Sequence, residues 1–241
     1  MCAPNAPILS GHAVNEGSEL EMVGWTESAV PAEHPLDPVP SAAPNIGEED
    51  SVTTLEIRLF GTLALERNGQ VVSHFPSRRV KELLAYLLLR RGEQQSREQL
   101  AGLFWSDGDG DHARRCLNTS LWRLQRVLGA PPHSGHPYLR VDAQYIGFNT
   151  ASDFRLDVAE FEQHCLWADR VASPPQQAEL YRQAVTYYRA DLLTECYEDW
   201  CLIERERLHC LYLRALGRLF AYYSASGEHD AAVDCARRIL A

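Results

Sequence analysis

The stretch DHARRCLNTSLWRLQRVL, residues 111–128, leaves the chain few choices of fold. At about 100° per residue, Ala113, Leu117, Leu121, Leu124 and Leu128 fall on one stripe of a helix. His112, Arg115, Asn118, Thr119, Trp122, Arg123 and Arg126 fall on the opposite side. The apolar stripe anchors the rod inward, and the cations and amides form a row outward. Such a rod fits the major groove of DNA, where Arg and Asn make paired hydrogen bonds to base edges and Arg neutralises phosphates. An ordinary surface helix with a solvated basic face carries the same pattern, so the neighbouring segments decide.

Those neighbours read as hairpin, three helices, hairpin. LEIRLFGTLAL (55–65) is rich in strand formers, Asn68-Gly69 is a two-residue turn signal, and VVSHF (71–75) returns. Ser77 is the expected N-cap of a helix in which Val80, Leu83, Leu84, Leu87 and Leu88 follow helical spacing, and Gly92 ends it. A second helix is expected after Ser96, with Gln99 completing a capping box, and it runs through Leu100, Leu103 and Phe104. The loop SDGDGD (106–111) leads into the basic helix, which Gly129 and Pro131-Pro132 stop. YLRV (138–141) and YIGFN (145–149) close the unit as two short strands. DGDGD fails as a calcium loop, because its twelfth position from Asp107 is Asn118 rather than an acid.

This order predicts a winged helix-turn-helix unit over 53–152. The third helix enters the groove, and the hairpin wing reaches backbone or minor groove through Arg140. Arg78, Arg79 and Arg97, at helix N-termini, are candidate phosphate contacts.

From Asp153 the pattern turns helical: 156–168, then a break at Pro174-Pro175, then 176–188, a long helix from Cys201 to about Ser224, a break at Gly227, and 229–241. Antiparallel pairs of this size are tetratricopeptide-like. Leu219, Tyr223, Gly227 and Ala232 match that repeat, while Phe220 and Ile239 stand where it prefers small residues. The region 153–241 is expected to be incomplete at its C-terminal end, because a stacked repeat needs a neighbour for its last face.

Net charge is −10, an unpromising sum for a nucleic-acid binder, but its distribution matters more. Residues 1–50 hold nine acids, no Lys or Arg, and more than half of the thirteen prolines. A disordered acidic arm is expected over 1–52. Residues 51–153 hold ten acids against thirteen bases, and 154–241 hold fourteen against ten. The one net-positive stretch contains the basic helix.

No apolar run approaches the roughly 20 residues of a membrane span, and no secretory signal opens the chain. Seven cysteines without a CxxC pair fit reduced thiols in a cytoplasmic protein. His164 beside Cys165 and His209 beside Cys210 are the nearest approach to metal-ligand spacing, so no metal or cofactor is expected. A phosphate loop, GxSxG and HExxH are all missing, so no enzyme is expected.

Five segments in this order carry a family resemblance: LEIRLFGTLALERNG, FPSRRVKELLAYLLLRRGEQQSREQLAGLFW, ARRCLNTSLWRLQRVLG, YLRVDAQYIGFNTASDFRLDVAEFE and YRADLLTECYEDWCLIERERL. Together they resemble the bacterial transcriptional activator domain family, which includes the Streptomyces antibiotic regulatory proteins. The resemblance implies an OmpR-like winged helix joined to a helical, tetratricopeptide-like activator domain. It implies binding to repeated promoter sites in double-stranded DNA, as a homodimer or in tandem, and contact with RNA polymerase. Trp122, Arg123, Leu124 and Arg126 fit the family's recognition-helix segment, whereas Gln125 stands where a basic residue is usual. The alternative is an interaction module whose winged helix no longer binds DNA.

Overall fold

In the computed structural model, residues 55–72, 74–106, 109–129 and 135–241 are described. The expected acidic arm, and the Pro131-Pro132 stop, lie outside them. The described residues fall within one compact unit. Seven helices and two small sheets make up the described residues.

The first strand formers do not run on as one strand. β1 (Leu55–Arg58) and β2 (Ala64–Arg67) pair antiparallel with each other, so LEIRLFGTLAL folds back on itself. Gly61 turns the chain at φ 93°, a left-handed conformation that favours glycine. A distant carboxylate holds the bend: the Leu59 N–H (2.9 Å) and Phe60 N–H (3.0 Å) both donate to Asp157. The Asn68-Gly69 turn then joins β2 to β3 (Gln70–Val71), with φ 52° and 72° as its hairpin type requires.

α1 (Arg78–Leu89) opens as expected, with Ser77 Oγ accepting from the Val80 N–H, and its five stripe residues are buried. β4 (Gln95–Ser96) precedes α2 (Arg97–Phe104). The expected capping box at Ser96 does not form; Ser96 makes no side-chain cap bond and instead pairs with the later hairpin. α3 (Gly110–Leu128) starts on Asp109, whose carboxylate accepts from the His112 N–H at 2.6 Å. It packs on α1 and α2 through Ala113, Leu117, Leu121, Leu124 and Leu128, all buried. Gly129 ends it at φ 62°, and Arg67 donates to the Leu128 carbonyl there.

β5 (Leu139–Val141) and β6 (Tyr145–Phe148) form the second hairpin, and β4 joins it as a third strand in the order β4-β6-β5. Gly147 is required in that sheet, since a Cβ there would stand 2.8 Å from the Glu93 carbonyl oxygen.

β7 (Phe154–Leu156) has no signal in the helical pattern of the sequence, yet it pairs parallel with β1. The first sheet therefore reads β3-β2-β1-β7 and joins strands from before and after the first three helices. Four helices follow, each packed on the next: α4 (Asp157–Arg170), α5 (Pro174–Tyr187), α6 (Asp199–Ser226) and α7 (His229–Leu240). Pro174 and Pro175 occupy the first turn of α5, where a missing N–H costs nothing. Among the described residues no helix is long and apolar enough to cross a membrane.

One core runs through both parts. Phe60, at the folded-back bend, meets Phe161 of α4 edge-on at 5.5 Å and Tyr188 at 4.7 Å. Trp200 of α6 meets Tyr86 of α1 at 5.3 Å and Phe104 of α2 at 6.2 Å. Burial raises the Asp157 carboxyl above its ordinary range, against the backbone N–H groups that favour the ionised form.

Candidate nucleic-acid interface

The outer face of α3 follows from its inner one. Once five apolar residues at i, i+4, i+8, i+11 and i+15 are buried, the intervening side chains have to point out. Arg115, Asn118, Thr119, Trp122, Arg123 and Arg126 are all exposed. Arg115 and Arg123 form no ion pair among the described residues. Arg126 lies 4.8 Å over the ring of Trp122, which is 56% exposed and so is a surface residue rather than core. Thr119 donates its hydroxyl to the Arg115 carbonyl one turn back at 2.9 Å, leaving its oxygen as an outward acceptor. Arg114, on the flank, is neutralised by Asp111 at 3.1 Å and Glu98 at 3.4 Å.

Arg97 occupies a position that its place at a helix N-terminus does not reveal. Its backbone N–H donates to the Gln144 carbonyl at 2.9 Å. One guanidinium nitrogen donates to the Asp142 carbonyl at 3.1 Å, and the other donates to Asn118 Oδ1. Arg97 thus ties α2, the outer face of α3 and the hairpin tip together. Asn118 keeps its Nδ2 donors outward, with its acceptor already engaged. The tip itself is a tight turn in which Asp142 accepts from the Gln144 and Tyr145 N–H groups, both at 2.7 Å. Those two bonds, that of Tyr145 foremost, hold the Asp142 carboxyl below its ordinary range. Arg140, on the neighbouring strand, is exposed and without an ion pair among the described residues.

Arg78 and Arg79 belong to a different set of contacts. Arg78 binds Glu82 at 2.6 Å. Arg79 binds Glu82 at 3.0 Å and Glu198, which precedes α6, at 2.7 Å. Glu82 is nearly buried between them. A phosphate at either arginine has to displace a carboxylate first. The signal for this pairing was local only in part: Glu82 lies one turn from Arg78, but Glu198 is far along the chain.

No cluster of three or more His, Cys, Asp or Glu side chains able to hold a metal ion occurs among the described residues. His164 turns its Nδ1 to the Glu160 carbonyl at 2.7 Å. His209 approaches Asp191 at 3.7 Å.

Residues 156–241 match the model of the bacterial transcriptional activator domain. That span takes in α4 to α7, the helical part of the sequence that carries the family resemblance. A solved chain of Mycobacterium tuberculosis EmbR, in complex with low affinity phosphopeptide, shares the fold at a TM-score of 0.53 and 16% identity. That match covers 78% of this chain and 59% of the EmbR chain. No curated protein matches the sequence.

Proposed function

We propose that the chain is a sequence-specific DNA-binding transcriptional activator. In this reading residues 53–152 are an OmpR-like winged helix-turn-helix domain, and 153–241 are the helical, tetratricopeptide-like activator domain. α3 enters the major groove. Arg115, Arg123 and Arg126 meet guanine edges or phosphates, and Asn118 and Thr119 face base edges. Trp122 lies along the groove wall beneath Arg126, and Arg140 of the hairpin meets the adjacent backbone. Two copies on tandem sites double a modest basic surface, and the helical part engages RNA polymerase, as the family resemblance implies. Like other regulators of this type, it carries out no catalysis.

The observation that carries this reading is the outer face of α3. Three exposed arginines share one side of a 19-residue helix, and no described acid pairs with any of them. A surface helix kept only for solubility generally intersperses acids with its bases. The acids at α3 come before Arg114, at its N-cap Asp109 and at Asp111.

Retention on random duplex at low salt tests the class, and selection from a random duplex pool tests specificity. An activator is retained, elutes with salt, and enriches a motif repeated at about one helical turn. Flow-through at low salt refutes the proposal and favours an interaction module without DNA binding.

A further inference from the structure

A cleft of about 200 Å³ opens where the bend between β1 and β2, the helix α1 and the link between α5 and α6 meet. Three backbone hydrogen bonds lay the link against the bend. The Gly61 N–H donates to the Asp191 carbonyl at 2.9 Å, the Leu193 N–H to the Leu59 carbonyl at 2.9 Å, and the Thr194 N–H to the Gly61 carbonyl at 2.8 Å. Arg205 adds a bond to the Leu193 carbonyl at 2.7 Å, and Leu193 is held at φ 44°. A bulky residue takes that left-handed conformation only where its surroundings impose it, and such residues gather at binding sites. Leu193 is buried, and it lines the cleft.

The floor is apolar and is made by Leu63, Ala85 and Leu193, all buried. The mouth is charged. There Arg78 holds Glu82 at 2.6 Å and Lys81 holds Glu195 at 3.0 Å. The two acids differ. Glu82 is buried and has both oxygens engaged, one by Arg78 and one by Arg79. Glu195 is 68% exposed and occupies one of the three N–H donors of Lys81. An ion pair with so exposed a partner is weak. An entering anion therefore meets a Lys81 whose present acceptor is easily displaced, with the Arg78 guanidinium one turn earlier on the same face. An entering cation meets only Glu195, because Glu82 is already spent on two arginines. The volume sets the size: a cavity of about 150 Å³ holds benzene, so this one holds a single ring with its polar group at the mouth.

We propose that the cleft binds a small monocarboxylate with an apolar body, an aryl or short alkyl acid. The body lies on Leu63, Ala85 and Leu193. The carboxylate takes the place of Glu195 on Lys81, with Arg78 alongside. The lining comes from the bend, α1 and the link, so the ligand ties the link to the helix that packs on α3. The site stands apart from the DNA reading, and its test contains no duplex.

Methyl NMR of the full chain titrated with phenylacetate tests this. The methyl signals of Leu63, Ala85 and Leu193 shift and saturate below about 10 mM. 2-Phenylethanol keeps the ring without the charge and binds about tenfold more weakly; Lys81→Gln weakens phenylacetate by about the same factor. Glu195→Gln strengthens phenylacetate binding by up to about fivefold, because the competing carboxylate is gone. No shift at those methyls by about 10 mM overturns the proposal. Equal affinity for phenylacetate and 2-phenylethanol overturns it too. So does tighter binding of 2-phenylethylamine, which makes Glu195 the partner of a cation instead. The comparison of the three ligands uses the unchanged chain, so it decides even where a variant fails to fold.

Discussion

Replacing Arg123 by Ala removes one exposed guanidinium that no carboxylate of the described residues holds. The fold therefore does not need it, and the melting temperature stays at the wild-type value. Binding to duplex does need it under the proposed function. Among the described residues, Arg115, Arg123, Arg126 and Arg140 are the cations of the α3 face and hairpin that no acid pairs. If each displaces one phosphate counterion, log K falls with log salt at a slope of about −3.6, four times ~0.9. Raising salt fourfold then weakens wild-type binding about 150-fold. Without Arg123 the slope becomes about −2.7, and the same change in salt weakens binding only about 40-fold. Fluorescence anisotropy on a selected duplex across that range measures both slopes. Arg182→Ala serves as the control: its guanidinium is bound to Glu179 at 2.7 Å on α5, and its loss leaves the slope unchanged. A wild-type slope in the Arg123 variant refutes the placement of α3 against the backbone.

Two further outcomes rest on the same contacts. Arg97→Ala frees Asn118 and the hairpin tip, so the ratio of specific to random-duplex affinity falls while the salt slope holds; a slope change of about 0.9 would make Arg97 a phosphate contact instead. Asp157→Ala leaves the Leu59 and Phe60 N–H groups without an acceptor, at about 1–3 kcal/mol for each, and a urea titration showing less than about 1 kcal/mol lost contradicts that role.

Periodicity carried most of the helices into view, and the reason is physical. A 3.6-residue repeat of Leu in α1 and α3 fixes which face is buried, whatever covers it. The Asn68-Gly69 turn was legible because few residue pairs adopt two positive φ angles cheaply. The bend at Phe60-Gly61 was not legible: its acceptor, Asp157, lies 98 residues from Leu59. β7 was hidden for the same reason, since three residues leading into a helix show no alternation of their own. On the candidate interface, the outward set of α3 could be read from the stripe opposite it. The role of Arg97 could not, because it depends on Asn118 and Asp142 arriving from 21 and 45 residues away.

The long-range contacts share one consequence. A cut at 152/153 looks clean in the sequence, yet it separates β7 from β1 and Asp157 from the bend it holds. α1 is pinned from outside by Glu198 on Arg79, Glu195 on Lys81, Glu204 on Arg90 and Glu162 on Arg91. Surface pairs of this kind contribute about 0–1 kcal/mol each, so they set orientation more than stability. The burial of Phe60, Phe161, Tyr188 and the rings around Trp200 supplies the binding energy between the parts. α1 in turn packs on α3. The helical part therefore reaches the basic helix through one intervening helix. If α3 lies in the groove, the duplex fixes the direction of α6 as well.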